Sequence, residues 1–289
     1  EILETNTLIF YSLLWPIILT PIFFQFFIYS CVEASKFFSK LNKFKKIKSS
    51  DYIIYFFIFF LFGLPLDKSI LPENYHYLFS QSYSVALILL FFIINLFLII
   101  LNNKNSYELD SIRKINVNEY FIVLFIMLLA ILASFTKVSF VFITTFIFIF
   151  LYLRLKLYTN LIYNLFLIFW FIFITYFYFN FIHYFSGNDL FDKSASMSHY
   201  YSIKDQLLFS YISIIYVLMR LYSLKIFSIN KLLKNFRSFK IIDVEFTVLL
   251  IIALFFISHQ YFKGIQLYIS YIFIIANINL FKSEFLKER

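Results

Sequence analysis

One cysteine in 289 residues, Cys31, rules out a disulfide framework and a cysteine-based metal site. Three glycines leave too little flexible backbone for a phosphate-cradling loop, so an ATP-driven engine is excluded. Charged residues make up only 14% of the chain, far below what a soluble domain needs to cover itself. HExxH, GxSxG and paired-cysteine motifs are all missing. So is the pattern of a basic segment, a short apolar core and a small-residue cleavage site. The chain starts at Glu1 rather than Met, which points to a trimmed start or a piece of a longer protein lacking its amino terminus.

What the sequence has in excess is apolar and aromatic. Hydrophobic residues are 62% and aromatic residues 24% of the chain, with 45 phenylalanines and a mean hydropathy of +0.84. The accompanying wealth of Ile, Asn, Lys and Tyr points to an AT-rich coding sequence, which accounts for much of the Phe enrichment. The expected fold is all-α, a polytopic transmembrane helix bundle. A bilayer core of about 30 Å takes about 20 helical residues and tolerates no unpaired backbone. Nine apolar runs qualify as spans: 7–32, 52–66, 83–101, 120–135, 138–153, 161–185, 207–226, 246–262 and 265–281. Because three are short and the last two are divided only by Lys263 and Gly264, counts from seven to ten are compatible. No fixed-period repeat and no Gly/Ser- or Pro-rich linker divides the chain, so residues 1–289 read as a single integral membrane domain.

Basic residues set the orientation, since short cytoplasmic loops collect Lys and Arg. With the amino terminus outside and the carboxyl terminus cytoplasmic, nineteen fall inside and five, Lys68, Lys137, Lys193, Lys204 and Lys263, outside, while Arg220 lies within a span. The net charge of +9 is thus accounted for by topology and calls for no nucleic-acid partner. The polar stretches 34–51, 102–118 and 228–243 read as interior connections, and 67–82 and 186–206 as exterior loops. Segment 36–51, with its six lysines, suits anionic lipid as well as topology determination.

This orientation puts all four histidines, His76, His183, His199 and His259, on or near the outer face, with Asp67, Glu73, Asp189, Asp192 and Asp205. Polar loop residues solvate helix ends, which is the plain reading. The functional reading is an outward-facing site in which a carboxylate serves as general base or as ligand to a divalent metal, with histidines assisting. Asp67, Glu73 and His76 are the catalytic candidates. Glu73 and His76 would share a face of a helical turn that Pro72 starts well. Asp189 and Asp192 repeat the three-residue spacing before His199. No cofactor is indicated, although those acids are compatible with a divalent metal.

Charges at or in the membrane are costly and therefore informative. Lys137 interrupts SFTKVSF between two short spans, as a solvated turn or as a partner for phosphate or carboxylate. Arg220, in YVLMRLYSLK, either snorkels to the headgroups or binds an anion in the interior. Lys137, Asp189, Asp192, His199 and Arg220 are the substrate-binding candidates.

Three stretches, LDKSILPENYHYLF (66–79), ASFTKVSFVF (133–142) and SGNDLFDKSASMSHYYSIKD (186–205), give the chain a plan that resembles the polytopic glycan-assembly proteins of bacteria. These are the GT-C type glycosyltransferases and the O-antigen polymerase-like proteins. The resemblance implies a membrane enzyme using polyprenyl-phosphate-linked sugars at the outer face of the bacterial plasma membrane. It implies a catalytic acid in the first outer loop, here Asp67 or Glu73, and a cation such as Lys137 on the departing phosphate. In GT-C enzymes that loop follows the first span, and here it follows the second. Two further classes stay open. A non-enzymatic membrane subunit needs no polar site. A transporter or flippase wants polar groups within the bilayer, whereas the spans read as nearly uniformly apolar apart from Pro16, Pro21 and Gln25.

Overall fold

The computed structural model describes residues 2–43, 48, 50–54, 81–102, 117–136, 139–177, 179–180, 203–237, 239–256 and 260–286. No strand occurs among the described residues. Their helices are α1 (Ile2–Asn42), α2 (Gln81–Asn102), α3 (Val117–Thr136), α4 (Ser139–Arg154), α5 (Leu161–Phe177), α6 (Ile203–Ser223), α7 (Ile229–Arg237), α8 (Ile242–Phe256) and α9 (Gln260–Leu286). The all-helical expectation is met. Three of these helices carry segments long and apolar enough to cross a membrane, Ile17–Asn42, Val85–Asn102 and Glu119–Thr136. The apolar helices Phe140–Arg154 and Leu161–Phe177 are shorter.

The outer surface is what a bilayer would wet. On α3, Phe121, Leu124, Leu128, Leu132 and Phe135 form an exposed stripe at helical spacing, with Phe121 67% exposed. On α5, Leu161, Leu165, Ile168, Ile172 and Tyr176 do the same. In water such patches would drive association; in lipid they cost nothing.

Contacts between the helices give their directions. Asn95 Nδ2 reaches the Phe26 carbonyl at 3.5 Å, and Asn102 Nδ2 reaches the Glu33 carbonyl at 3.1 Å, so α1 and α2 are parallel neighbours. Arg154, at the end of α4, meets Glu245 near the start of α8, and Arg220 near the end of α6 meets Asp243 in the same turn of α8. Asn160, just before α5, donates to the Tyr120 hydroxyl near the start of α3 at 3.2 Å. Helices α1, α2, α4, α6 and α9 therefore finish at one end of the bundle, and α3, α5 and α8 begin there. This end, which holds Arg220, is called the polar end below.

The main core joins α1, α2 and α9 through aromatic rings. Phe23 lies 5.3 Å from Phe91 and 5.2 Å from Tyr268, and Phe27 lies 5.6 Å from Phe91, between ring centroids. These tilted and edge-on geometries place ring edges against ring faces, as aromatic quadrupoles prefer. A second cluster wraps Trp170 with Phe148 at 4.9 Å, and the indole N–H donates to Thr145 Oγ1 at 2.9 Å. A buried indole keeps its polar atom matched this way.

Two differences from the sequence expectation concern the polar end. The stretch from Ala34 was expected as a loop, but α1 continues to Asn42, about 60 Å in all at 1.5 Å per residue. Nothing between Ala34 and Asn42 breaks a helix, and Glu33 pairs with Lys36 one turn on at 2.5 Å. The stretch 228–243 was also expected as a polar connection, and it contains the short helix α7. Scarcity of glycine shows at the turns. Left-handed φ values fall on Lys43, Lys156, Lys225 and Phe239. At the end of α6, the Ile226 N–H donates to the Leu221 carbonyl and the Lys225 N–H to the Tyr222 carbonyl. This is a Schellman closure with lysine where glycine is usual.

Candidate functional site

The described polar chemistry gathers between α6, α8 and α9. On α6, Ser210, Ser213, Tyr216, Arg220 and Ser223 recur every three or four residues and so share one face, and all five are buried. On α9, Gln266, Ser270 and Asn277 are spaced by four and seven and are likewise buried. Asp243 and Thr247, four apart on α8, complete the seam. Ser213 Oγ and Ser270 Oγ share a hydrogen bond of 2.6 Å, which ties α6 to α9. The expectation of nearly uniformly apolar spans is corrected here. Single Ser, Tyr, Asn and Gln residues among Ile and Phe barely lower hydropathy, yet helical periodicity stacks them on one line.

Toward the polar end of this seam sits a buried ion pair. Arg220 is 0% exposed, its Nε donates to Asp243 Oδ2 at 2.7 Å, and its Nη2 donates to the Lys240 carbonyl at 2.8 Å. The Tyr216 hydroxyl donates to the same Asp243 oxygen and accepts from Asn277 Nδ2 at 3.0 Å. Asp243 lies in the first turn of α8, where the helix dipole favours a carboxylate. Phe38 of α1 places its ring 5.9 Å from the guanidinium carbon. Snorkelling was one reading of Arg220, and the structure differs from it. A carboxylate within hydrogen-bond reach inside the bundle offers the guanidinium more than an extended route to headgroups.

The network is incomplete on one side. Arg220 Nη1, Asp243 Oδ1, Asn277 Oδ1 and both polar atoms of Gln266 are buried and have no hydrogen-bond partner among the described residues. Two donors, Arg220 Nη1 and Gln266 Nε2, and three acceptors are thus left for a water or a small polar ligand. Beside them, Asp243 with Phe37, Phe38, Phe97, Phe150 and Phe246 lines a cavity of about 80 Å³ whose surface is apolar. No group of three or more His, Cys, Asp or Glu suited to a metal occurs among the described residues.

Two more pairs lie at the same end. Arg154 holds Glu245 by two bonds, Nε to Oε2 at 2.6 Å and Nη2 to Oε1 at 3.2 Å. Its guanidinium also donates to the Phe236 carbonyl and lies 4.5 Å and 4.1 Å from the ring centroids of Phe236 and Phe239. Glu33 takes Lys36 at 2.5 Å and Asn102 Nδ2 at 2.9 Å.

Of the expected site residues, Asp67, Glu73, His76, Lys137, Asp189, Asp192 and His199 lie outside the described residues, as do His183 and His259. Arg220 is the one candidate that is described. Its neighbours Asp243, Tyr216 and Asn277 were not singled out in sequence. One signal pointed to Asp243: a cation inside a span needs a counter-charge, and Asp243 is the first acid after Arg220. No family model, no curated protein and no solved structure matches this chain.

Proposed function

We propose that this chain is a nine-span protein of the bacterial plasma membrane, amino terminus outside, that uses polyprenyl-phosphate-linked sugars at the outer face as a glycosyltransferase or polymerase. The observation that carries the reading is the set of helix directions: α1 and α2 run parallel while α2, α3, α4, α5, α6, α8 and α9 alternate, which agrees with α1 and α2 being the first and third of nine spans. In that order the polar end is cytoplasmic, with Lys36, Lys40, Arg154, Lys156, Lys225 and Lys282 around it. The loops bearing Asp67, Glu73, His76, Asp189, Asp192 and His199 then belong to the opposite face. There a carboxylate, Asp67 or Glu73, takes the proton of an acceptor hydroxyl, and Lys137 meets the phosphate that departs with the lipid. Labelling of single cysteines from either side of sealed vesicles tests the topology. Asp67→Asn and Glu73→Gln variants in a lipid-linked glycan assay test the chemistry. Unchanged product from both variants refutes a catalytic role for either acid.

A second reading, transport or flipping of a lipid-linked or polar solute, is favoured by the buried seam between α6 and α9. Polar side chains inside a bundle with unmatched atoms are what a solute or ion path requires. Reconstituted vesicles loaded with a fluorescent lipid-linked sugar phosphate distinguish the two. Translocation no faster than in protein-free vesicles excludes this reading, and loss of translocation in a folded Asp243→Asn variant supports it.

A further inference from the structure

Helix α7 has no role in either reading, and its construction is unlike that of every other described helix. Ile229, Leu232, Leu233 and Phe236 stand at positions i, i+3, i+4 and i+7, which gathers them on one face, while Lys231 and Lys234 take the other. The apolar face is uncovered: Ile229 is 75% and Leu233 53% exposed. Just before the helix, Phe227 is 75% exposed. That surface continues into α6, where Leu218, Met219, Leu221 and Tyr222 with Ile226 and Phe227 line an open hollow, and the Tyr222 and Phe227 rings stand 6.2 Å apart. From Lys225 to Ile242 inclusive the chain carries five basic residues and no acid.

The position of the helix is held, so the exposed face is not a loose strand of chain. Arg154 reaches across from α4 to bond the Phe236 carbonyl and to lie against the Phe236 and Phe239 rings. The Schellman closure at Lys225 fixes the entry from α6. A helix this short does not hold its shape alone in water, and these two anchors supply what nine residues cannot.

We propose that α7 lies in the boundary of the leaflet at the polar end and forms, with the end of α6, a binding site for an anionic phospholipid. An acyl chain would run along Leu218, Tyr222 and Phe227, Ile229 and Leu233 would dip below the headgroups, and Lys225, Lys231 and Lys234 would meet the phosphate. Charge complementarity commits the site to an anionic lipid: a basic stretch without one acid repels basic surfaces and offers zwitterionic headgroups no excess attraction. Each lysine near such a surface is worth about a fivefold preference.

The test uses the full chain in nanodiscs of phosphatidylcholine alone or mixed with phosphatidylglycerol. Single cysteines replace Leu233 and Lys231 in a Cys31→Ala background and carry nitroxide labels. In the mixed discs the label at 233 is expected to collide with oxygen and be shielded from a water-soluble nickel chelate, and the label at 231 the reverse. Nickel access at 233 puts the helix in water, and shielding from both reagents means that protein covers it; either overturns the proposal. In native mass spectrometry, the wild type should retain phosphatidylglycerol over phosphatidylcholine, and Lys231→Gln with Lys234→Gln should lower that preference by about twenty-five-fold. Equal retention of the two lipids by the wild type, or a preference unmoved by the double substitution, overturns it as well. These readouts are independent of sugar transfer and of translocation, so failure here leaves the other readings standing and their failure leaves this one.

Discussion

The two sides of helix α9 are built from different chemistry. Toward α1 and α2 it offers Tyr268, whose ring meets those of Phe23, Phe27 and Phe91, with Ile269 and Ile272 in the same apolar core. Toward α6 and α8 it offers buried Gln266, Ser270 and Asn277, of which Ser270 bonds Ser213 and Asn277 bonds Tyr216, whose hydroxyl in turn bonds Asp243 of the Arg220–Asp243 pair. In water the first side would gain from the hydrophobic effect. In lipid that gain is absent, because the acyl chains are as apolar as Phe, and only packing shape and contact remain. The second side obeys the opposite rule: its groups cannot be released into lipid, so each needs a partner within the bundle. The contrast teaches that the apolar side is tolerant and the polar side is exacting.

The largest effect should come from splitting the ion pair. Asp243→Ala leaves the Arg220 guanidinium buried and uncompensated, with a cost of about 3–5 kcal/mol. Unfolding of the purified protein in mixed micelles measures it. An Arg220→Leu, Asp243→Leu double variant removes both charges and should recover most of the loss; a double variant as unstable as Asp243→Ala would mean that the pair contributes through shape rather than charge. On the tolerant side, Phe27→Ala opens a cavity among Phe23, Phe91 and Tyr268. With the transfer contribution largely cancelled by lipid, the cavity contribution alone is about 2 kcal/mol. A loss equal to that of Asp243→Ala in the same assay would erase the distinction between the two sides.

A smaller effect of opposite sign is expected where the polar end turns without glycine. Lys156 sits at φ 54°, ψ 36°, a left-handed conformation that costs a residue with a Cβ about 1 kcal/mol. Lys156→Gly should therefore stabilise, by at most that amount, in the same unfolding measurement. Destabilisation would show that this lysine's exposed side chain does more than close the turn after α4.

How much of this was readable in the chain depends on which physics sets each feature. Helices α2, α3 and α4 lie within a few residues of their apolar runs, because run length and bilayer thickness decide both. The carboxyl end of α1 was misplaced because polarity does not stop a helix; lack of hydrogen-bond partners or a left-handed residue does, and here that residue is Lys43. Helix α7 was hidden for the same reason, since nine residues rich in Lys and Asn look like a connection until the spacing of Ile229, Leu232, Leu233 and Phe236 is laid on a wheel. Arg220 stood out in sequence because a charge in a span is costly anywhere. Its partner did not, because the approach of Asp243 depends on where α8 begins after α7, a tertiary fact. Asp67, Glu73, His76, Asp189, Asp192 and His199, on which the sugar-transfer chemistry is proposed, fall outside the described residues.

The finest probe of the contrast is the bond between Ser213 and Ser270, the least conspicuous element of the seam. Both hydroxyls are buried, and Ser270 has a second outlet, the Gln266 carbonyl at 2.9 Å. Ser213→Ala therefore strands no donor: Ser270 keeps its bond within α9, and what is lost is the link between helices. Interhelical hydrogen bonds in membrane proteins average about 0.6 kcal/mol, and the loss should be of that size. A loss several times larger would mean that Ser213 also holds a ligand or water near the unmatched atoms of Gln266, and the seam would then be a path rather than glue. The same substitution thus separates the two uses of a buried polar line: glue fails by the strength of one bond, whereas a path fails by more than one bond and also in what passes through it.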